Sequence, residues 1–93
     1  MIACTVELFG VARLVGRTRE VPLELQPDAT FAEAFAALVQ KVPALAGKVI
    51  AANGTHLADG YACSRNGLEF VRSGTARVGA GDIIAIVSAD AGG

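Results

Sequence analysis

The sequence of 93 residues contains two cysteines, one histidine and no tryptophan. Cys4 and Cys63 are too few for a disulfide framework, and neither lies in a C-x-x-C pair. We therefore expect both to be small side chains in or near the core. His56 stands alone, and a single histidine without a cysteine pair beside it gives no metal-ligating pattern, so no bound metal is expected.

Two further absences concern membranes and nucleic acids. No apolar run approaches the roughly 18 residues that a membrane-spanning helix requires. Eight basic residues are scattered among nine acidic ones, without the cluster of Lys and Arg that is typical of a nucleic-acid interface. The sequence therefore predicts a cytoplasmic protein with neither a membrane nor a nucleic acid as its partner.

What is present is the material for one folded domain. Apolar residues make up 53% of the chain and charged residues 18%, with a net charge of −1. This composition opposes disorder, and so short a chain does not divide into two cores. We expect one domain over residues 1–88, followed by a flexible C-terminal tail over residues 89–93 that has no side chain able to anchor it.

Alternating apolar residues indicate two strands at the start of the chain. The first strand is predicted over residues 2–9, where the even-numbered apolar side chains share one face. The second is predicted over residues 19–25, where the odd-numbered side chains do so. Pro22 has no N–H to donate, which favours a position at the sheet edge. Residues 10–16 are interpreted as a connection between the strands.

The period then changes to that of a helix. Thr30 and Glu33 have the spacing of a capping box, in which each side chain satisfies a backbone N–H at the helix start. Apolar residues then recur at intervals of three and four, and Pro43 prevents the helix from continuing. The sequence predicts a helix over residues 31–41.

The second half predicts short strands joined by glycine turns. Residues 61–65 and 68–72 flank Asn66-Gly67, a pair that favours a tight hairpin turn. A further short strand is interpreted over residues 48–52. The run over residues 83–87 is apolar at every position, which predicts a strand whose two faces are covered or paired in the middle of a sheet.

These elements predict an α+β fold with a mixed sheet of four or five strands and one main helix packed across it. The first and last strands are the most apolar, so we expect them side by side at the centre. They run parallel if the helix provides the crossover between them. One helix across such a sheet is the β-grasp, or ubiquitin-like, arrangement.

Both ends of the chain carry a resemblance to a known family. The opening stretch over residues 6–16 is VELFGVARLVG, the closing stretch over residues 81–87 is GDIIAIV, and the sequence finishes on Gly92-Gly93. With these motifs the chain resembles the MoaD/ThiS family of sulfur carriers, nearer to the small subunit of molybdopterin synthase by its length. Two glycines give the backbone a thin approach into a partner's active site.

The resemblance implies a protein co-substrate that is not itself an enzyme. An E1-like adenylating enzyme would use ATP to activate the Gly93 carboxylate, with Gly92 as the spacer, and a sulfur donor would convert it to a thiocarboxylate. That sulfur would serve molybdopterin formation, or thiazole or cysteine formation in other branches. A large synthase subunit resembling MoaE is a further implied partner, and no bound cofactor is implied.

Other interpretations stay open at this point. The chain could be a ubiquitin-like modifier joined through Gly93 to lysines, a stable small subunit of a synthase, or an inert β-grasp interaction module. Phe9 and Phe70 are candidates for partner docking if they are exposed, because aromatic side chains make good interface anchors. No residue is predicted to be catalytic, and Asp82 is interpreted as a turn residue that leads into the last strand.

Overall fold

Five strands and two α-helices follow one another in the computed structural model, which describes residues 1–89. A short 3-10 turn, Pro43–Leu45, follows the second helix. The remaining bounds, in chain order, are β1 Ile2–Leu8, α1 Gly10–Gly16, β2 Glu20–Leu25, α2 Phe31–Lys41, β3 Tyr61–Arg65, β4 Glu69–Val71 and β5 Ile83–Ser88.

The strands form one mixed sheet in the order β2-β1-β5-β3-β4. β1 and β5 are parallel neighbours at its centre, whereas the other neighbouring pairs are antiparallel. This confirms the predicted placement of the first and last strands and the β-grasp fold. The structure also adds a second, shorter helix to the predicted one. No helix of residues 1–89 has the length and apolar character needed to cross a bilayer.

The hairpin of β1 and β2 shows the predicted faces. Cys4, Val6 and Leu8 of β1 point into the core, as do the odd-numbered residues of β2. β2 lies at the sheet edge, where the missing N–H of Pro22 breaks no ladder. The Nζ of Lys41 donates to the Pro22 carbonyl oxygen at 2.6 Å, which ties the end of α2 to this edge.

Helix α2 has the predicted bounds and the predicted capping box. The Glu33 backbone N–H donates to Thr30 Oγ1 at 3.2 Å, and the Thr30 N–H donates to Glu33 Oε1 at 3.0 Å. The apolar stripe of the helix packs against the inner face of the sheet, because this contact removes the apolar surface of both from water. Its buried members are Phe31, Ala34, Phe35 and Leu38.

Residues 10–16 connect β1 and β2, as predicted, but they do so as helix α1, which was not predicted. Its N-cap, Phe9, provides no side-chain hydrogen bond, so no capping signal is present in the sequence. Packing supplies the stability instead. Ala12 is fully buried, and a Cβ added at Gly16 would lie 2.9 Å from Leu8 Cδ1, so the end of α1 rests directly on the core.

The predicted strand over residues 48–52 was wrong. Val49 and Ile50 are fully buried, but their N–H groups donate to the Leu45 carbonyl oxygen at 2.9 and 3.0 Å, so they fold back on the 3-10 turn. Only isolated bridges form here. The hairpin of β3 and β4 is confirmed, and both Asn66 and Gly67 have positive φ, as its tight turn demands.

Candidate functional site

The candidate site is the end of the sheet where β5 finishes. Gly92 and Gly93 lie outside the described residues, so the structure presents the base of the C-terminal segment and its surroundings. The Phe9 N–H donates to the Ile86 carbonyl oxygen at 3.2 Å, which places the start of α1 beside this end of β5. On the other side of β5, the Ala89 N–H donates to the Gly60 carbonyl oxygen at 2.7 Å.

The opposite end of β5 is held by the Asp82 carboxylate, which is 8% exposed. It accepts hydrogen bonds from the Gly79 N–H at 2.7 Å and from Asn66 Nδ2 at 3.0 Å. Asn66 Oδ1 in turn accepts from the Ile83 N–H at 2.8 Å. These bonds join the β3–β4 turn to the start of β5. Asp82 is therefore a turn residue with a structural role, as predicted.

The outer face of the sheet, which points away from α2, carries an apolar strip along β5. Ile83 is 43% exposed, and Ala85 and Val87 are half-buried on the same face. β5 is paired on both sides in the middle of the sheet, as predicted, while its outer face is only partly covered. The register places Ala62 beside Val87 and adds a neighbouring apolar side chain from β3. An apolar strip that is partly exposed on a central strand is a candidate docking surface.

The two predicted docking residues are both exposed, Phe9 at 48% and Phe70 at 62%. Phe70 is on β4, where it lies opposite Ser64 of β3 on the outer face. Phe9 follows the end of β1 and lies beside β5. The structure places them on opposite sides of β5 and does not bring them together. Each therefore extends a different flank of the apolar strip.

Helix α1 adds apolar side chains that sequence reasoning missed. Val11 is 53% exposed and Leu14 is 76% exposed. Their spacing of three places them on one face of the helix, close to the end of β5. The apolar residues do have helical spacing in the sequence. Because the segment was interpreted as a connection, no helix and no exposed helix face were predicted there.

The thiols and the imidazole are not arranged for nucleophilic catalysis. Burial raises the pKa of Cys63 from its ordinary value of 9.0 to about 11, and burial, followed by the charge of Asp82, raises the pKa of Cys4. Both cysteines are buried as predicted, and a protonated thiol is a poor nucleophile. His56 lies in an exposed loop. Across residues 1–89, no three metal-ligating side chains are grouped closely enough to hold an ion.

Proteins similar to this chain were found among the solved structures. No family model matches the chain, and no curated protein matches it. The crystal structure of small archaeal modifier protein 1 from Haloferax volcanii is 33% identical, covers 98% of this chain and 99% of that chain, and has a TM-score of 0.82. This chain belongs to the MoaD/ThiS family of β-grasp proteins.

Two other solved structures have a similar fold. Small archaeal modifier protein 1 from Methanosarcina acetivorans is 26% identical over 100% of this chain and 98% of that chain, with a TM-score of 0.76. A Pyrococcus furiosus protein assigned as molybdopterin converting factor subunit 1 is 16% identical over 95% and 98% of the two chains. Its TM-score of 0.73 supports the shared fold. Proteins of this kind are small, non-catalytic carriers or modifiers.

Proposed function

We propose that this protein is a cytoplasmic sulfur carrier that acts as a protein co-substrate. An E1-like adenylating enzyme joins the Gly93 carboxylate to AMP from ATP and releases pyrophosphate. A persulfide from the sulfur donor then attacks the acyl carbon and displaces AMP. A thiol cleaves the resulting sulfur–sulfur bond and leaves a thiocarboxylate on Gly93, with Gly92 as the spacer that admits the backbone to a narrow channel.

Membership of the MoaD/ThiS family is the observation that carries this proposal. The 33% identity extends over nearly the whole of both chains, which makes the likeness one of the whole domain and not of a single motif. The chemistry of the described residues agrees with it. Both thiols are buried, which agrees with chemistry at the Gly93 carboxylate and not at a cysteine.

The outer face is the proposed contact surface for the activating enzyme and for a MoaE-like large subunit. Its apolar strip along β5 is continued by Phe70 on one flank and approached by Phe9 on the other. A partner seated there lies beside the base of the C-terminal segment, because the strip runs along the strand that leads into it. A partner that docks on the outer face would therefore also reach the carboxylate.

The acceptor that we propose is a molybdopterin precursor, because the length of the chain is nearest to that branch of the family. Thiazole and cysteine formation are the competing branches. Incubation of the thiocarboxylate form with each purified acceptor system distinguishes them. Loss of the sulfur from the protein with only one acceptor identifies the branch.

The deciding experiment is the intact mass of the full chain after incubation with ATP, a persulfide donor and the adenylating enzyme of the source organism. The expected product is heavier by the difference between one sulfur atom and one oxygen atom. A variant without Gly92 and Gly93 is the matched control and should keep its mass. An unchanged mass in the full chain, with an enzyme that activates a known carrier, would refute the proposal and favour an inert interaction module.

A second candidate function is conjugation to lysines of other proteins. The observation that favours it is that the three similar structures above 25% identity are all of small archaeal modifier proteins. The last tryptic cleavage site is Arg77, so a conjugated lysine would carry residues 78–93 as its remnant. Branched peptides of that composition in tryptic digests would establish conjugation. Their absence, together with thiocarboxylate formation, would leave the carrier function alone.

A further inference from the structure

One hydrogen bond prolongs the sheet beyond the end of β5. In the register of β3 and β5, Ala62 lies opposite Val87 and Tyr61 lies opposite Ser88. The next pair is Gly60 and Ala89, and the Ala89 N–H donates to the Gly60 carbonyl oxygen at 2.7 Å. The ladder of antiparallel bonds is thus one residue longer than the strands themselves.

Gly60 is suited to offer its carbonyl oxygen in this place. Its φ is +90°, a backbone conformation that residues with a side chain rarely adopt. A Cβ built on Gly60 would meet no atom within 4 Å, so available space does not explain the glycine. The backbone angle does, because it allows the turn before β3 to direct its carbonyl group towards Ala89.

We propose that the Gly60–Ala89 hydrogen bond fixes the point at which the C-terminal segment leaves the domain, which makes Gly60 a positioning residue for activation of the carboxylate. This inference rests on the proposed function. Four residues follow Ala89 in the sequence, and four residues span at most about 14 Å. The nucleotide site of the adenylating enzyme then has to lie within about 14 Å of the rim formed by Gly60 and Ala89.

Replacing Ala89 by Pro tests the bond, because proline has no N–H to donate. Ala89 is exposed, and the pairs on β5 before it stay intact, so the fold should tolerate the change. We expect KM for the carrier, in pyrophosphate release by the adenylating enzyme, to rise about threefold to tenfold, since a net hydrogen bond of this kind is lost. The kcat should stay unchanged, because only the cost of ordering the substrate differs.

The matched control is Ala89→Gly, which keeps the N–H and loosens the chain. If backbone stiffness alone mattered, Ala89→Gly would raise KM and Ala89→Pro would lower it, because proline restricts and glycine relaxes the chain. The proposed bond predicts that Ala89→Pro gives the larger rise in KM. An unchanged or lowered KM in Ala89→Pro would overturn the inference.

Hydrogen exchange of the Ala89 amide in the free protein separates this inference from the proposed function. Slow exchange relative to an unprotected amide supports the bond, even if the protein proves not to be a substrate for adenylation. Exchange at the unprotected rate would overturn the inference, even if Gly93 acquires sulfur as proposed.

Discussion

The first prediction concerns Phe70, the most exposed aromatic side chain described, at 62%. A phenylalanine buries roughly 200 Å² when fully covered, so about 120 Å² of Phe70 is free for a partner. At about 25 cal/mol per Å², docking on this side chain contributes at most about 3 kcal/mol. Truncation to alanine keeps part of that contact, so we expect a loss of about 1–3 kcal/mol in binding.

The assay is pyrophosphate release by the adenylating enzyme as a function of carrier concentration. Phe70→Ala should raise KM by about fivefold to 150-fold and leave kcat unchanged, because the contact exists in the bound substrate and the transition state alike. The unfolding free energy should fall by less than about 1 kcal/mol, since the side chain is already mostly in water. Urea denaturation measures that second quantity.

Leu68→Ala is the matched control. Leu68 is also apolar and 86% exposed, but it lies in the turn before β4 and not on the outer face of the sheet. Its truncation should change neither KM nor stability appreciably. Equal rises in KM for the two variants, or none for Phe70→Ala, would refute the assignment of the outer face as the docking surface.

Three further predictions concern the domain itself. Gly16→Ala should lower the unfolding free energy by about 1–3 kcal/mol in urea denaturation, because its Cβ would lie 2.9 Å from Leu8 Cδ1; no loss would mean that α1 shifts freely. Asp82→Ala should cost about 1–3 kcal/mol by the same measurement, since it leaves the Gly79 N–H without its acceptor; a cost below about 0.5 kcal/mol would contradict this. For Cys63, burial raises the pKa from 9.0 to about 11, so the native state keeps a proton that the unfolded chain loses. Stability should therefore fall as the pH rises from 9.0 to about 11, and Cys63→Ala should weaken this slope.

The parts of the fold that could be predicted are those with local signals. The capping box of Thr30 and Glu33 defined the start of α2, and Pro43 defined where it had to stop. Asn66-Gly67 located the hairpin because its turn requires positive φ at both central residues. Period-two alternation gave the faces of β1 and β2, and the unbroken apolar run gave the central position of β5.

The parts that could not be predicted depend on tertiary contacts. Helix α1 is held by the burial of Ala12 and the close packing of Gly16, and neither has a local signal. Residues 48–52 contain buried apolar side chains, but a strand also needs a neighbouring strand, and the Val49 and Ile50 N–H groups donate to the Leu45 carbonyl oxygen instead. In both segments the apolar residues were recognised, while the partner that decides the backbone conformation lies elsewhere in the chain.

The exposed surfaces of the candidate site could be predicted only in part, because a surface that binds a partner has the same apolar residues as a buried one. An apolar run such as β5 is compatible with burial on both faces or with one face reserved for a partner, and only the position of α2 decides between them. Phe9 and Phe70 were identified as candidates because of their residue type, whereas the exposed face of α1 was missed with its helix. The Gly60–Ala89 bond joins residues 29 apart in sequence and has no signature in either segment.

In the proposed function, partner recognition and chemistry use different parts of the chain. Both thiols are buried in the folded domain, whereas the apolar strip on its outer face is partly exposed. A carrier and a modifier share the adenylate and differ in the nucleophile that displaces AMP, so both need the same first docking event. Weakening the outer face should therefore lower thiocarboxylate and conjugate formation in the same proportion. If a variant changed the yield of only one product, its effect would be on a step after adenylation. The changed residue would then contact the protein that acts in that later step.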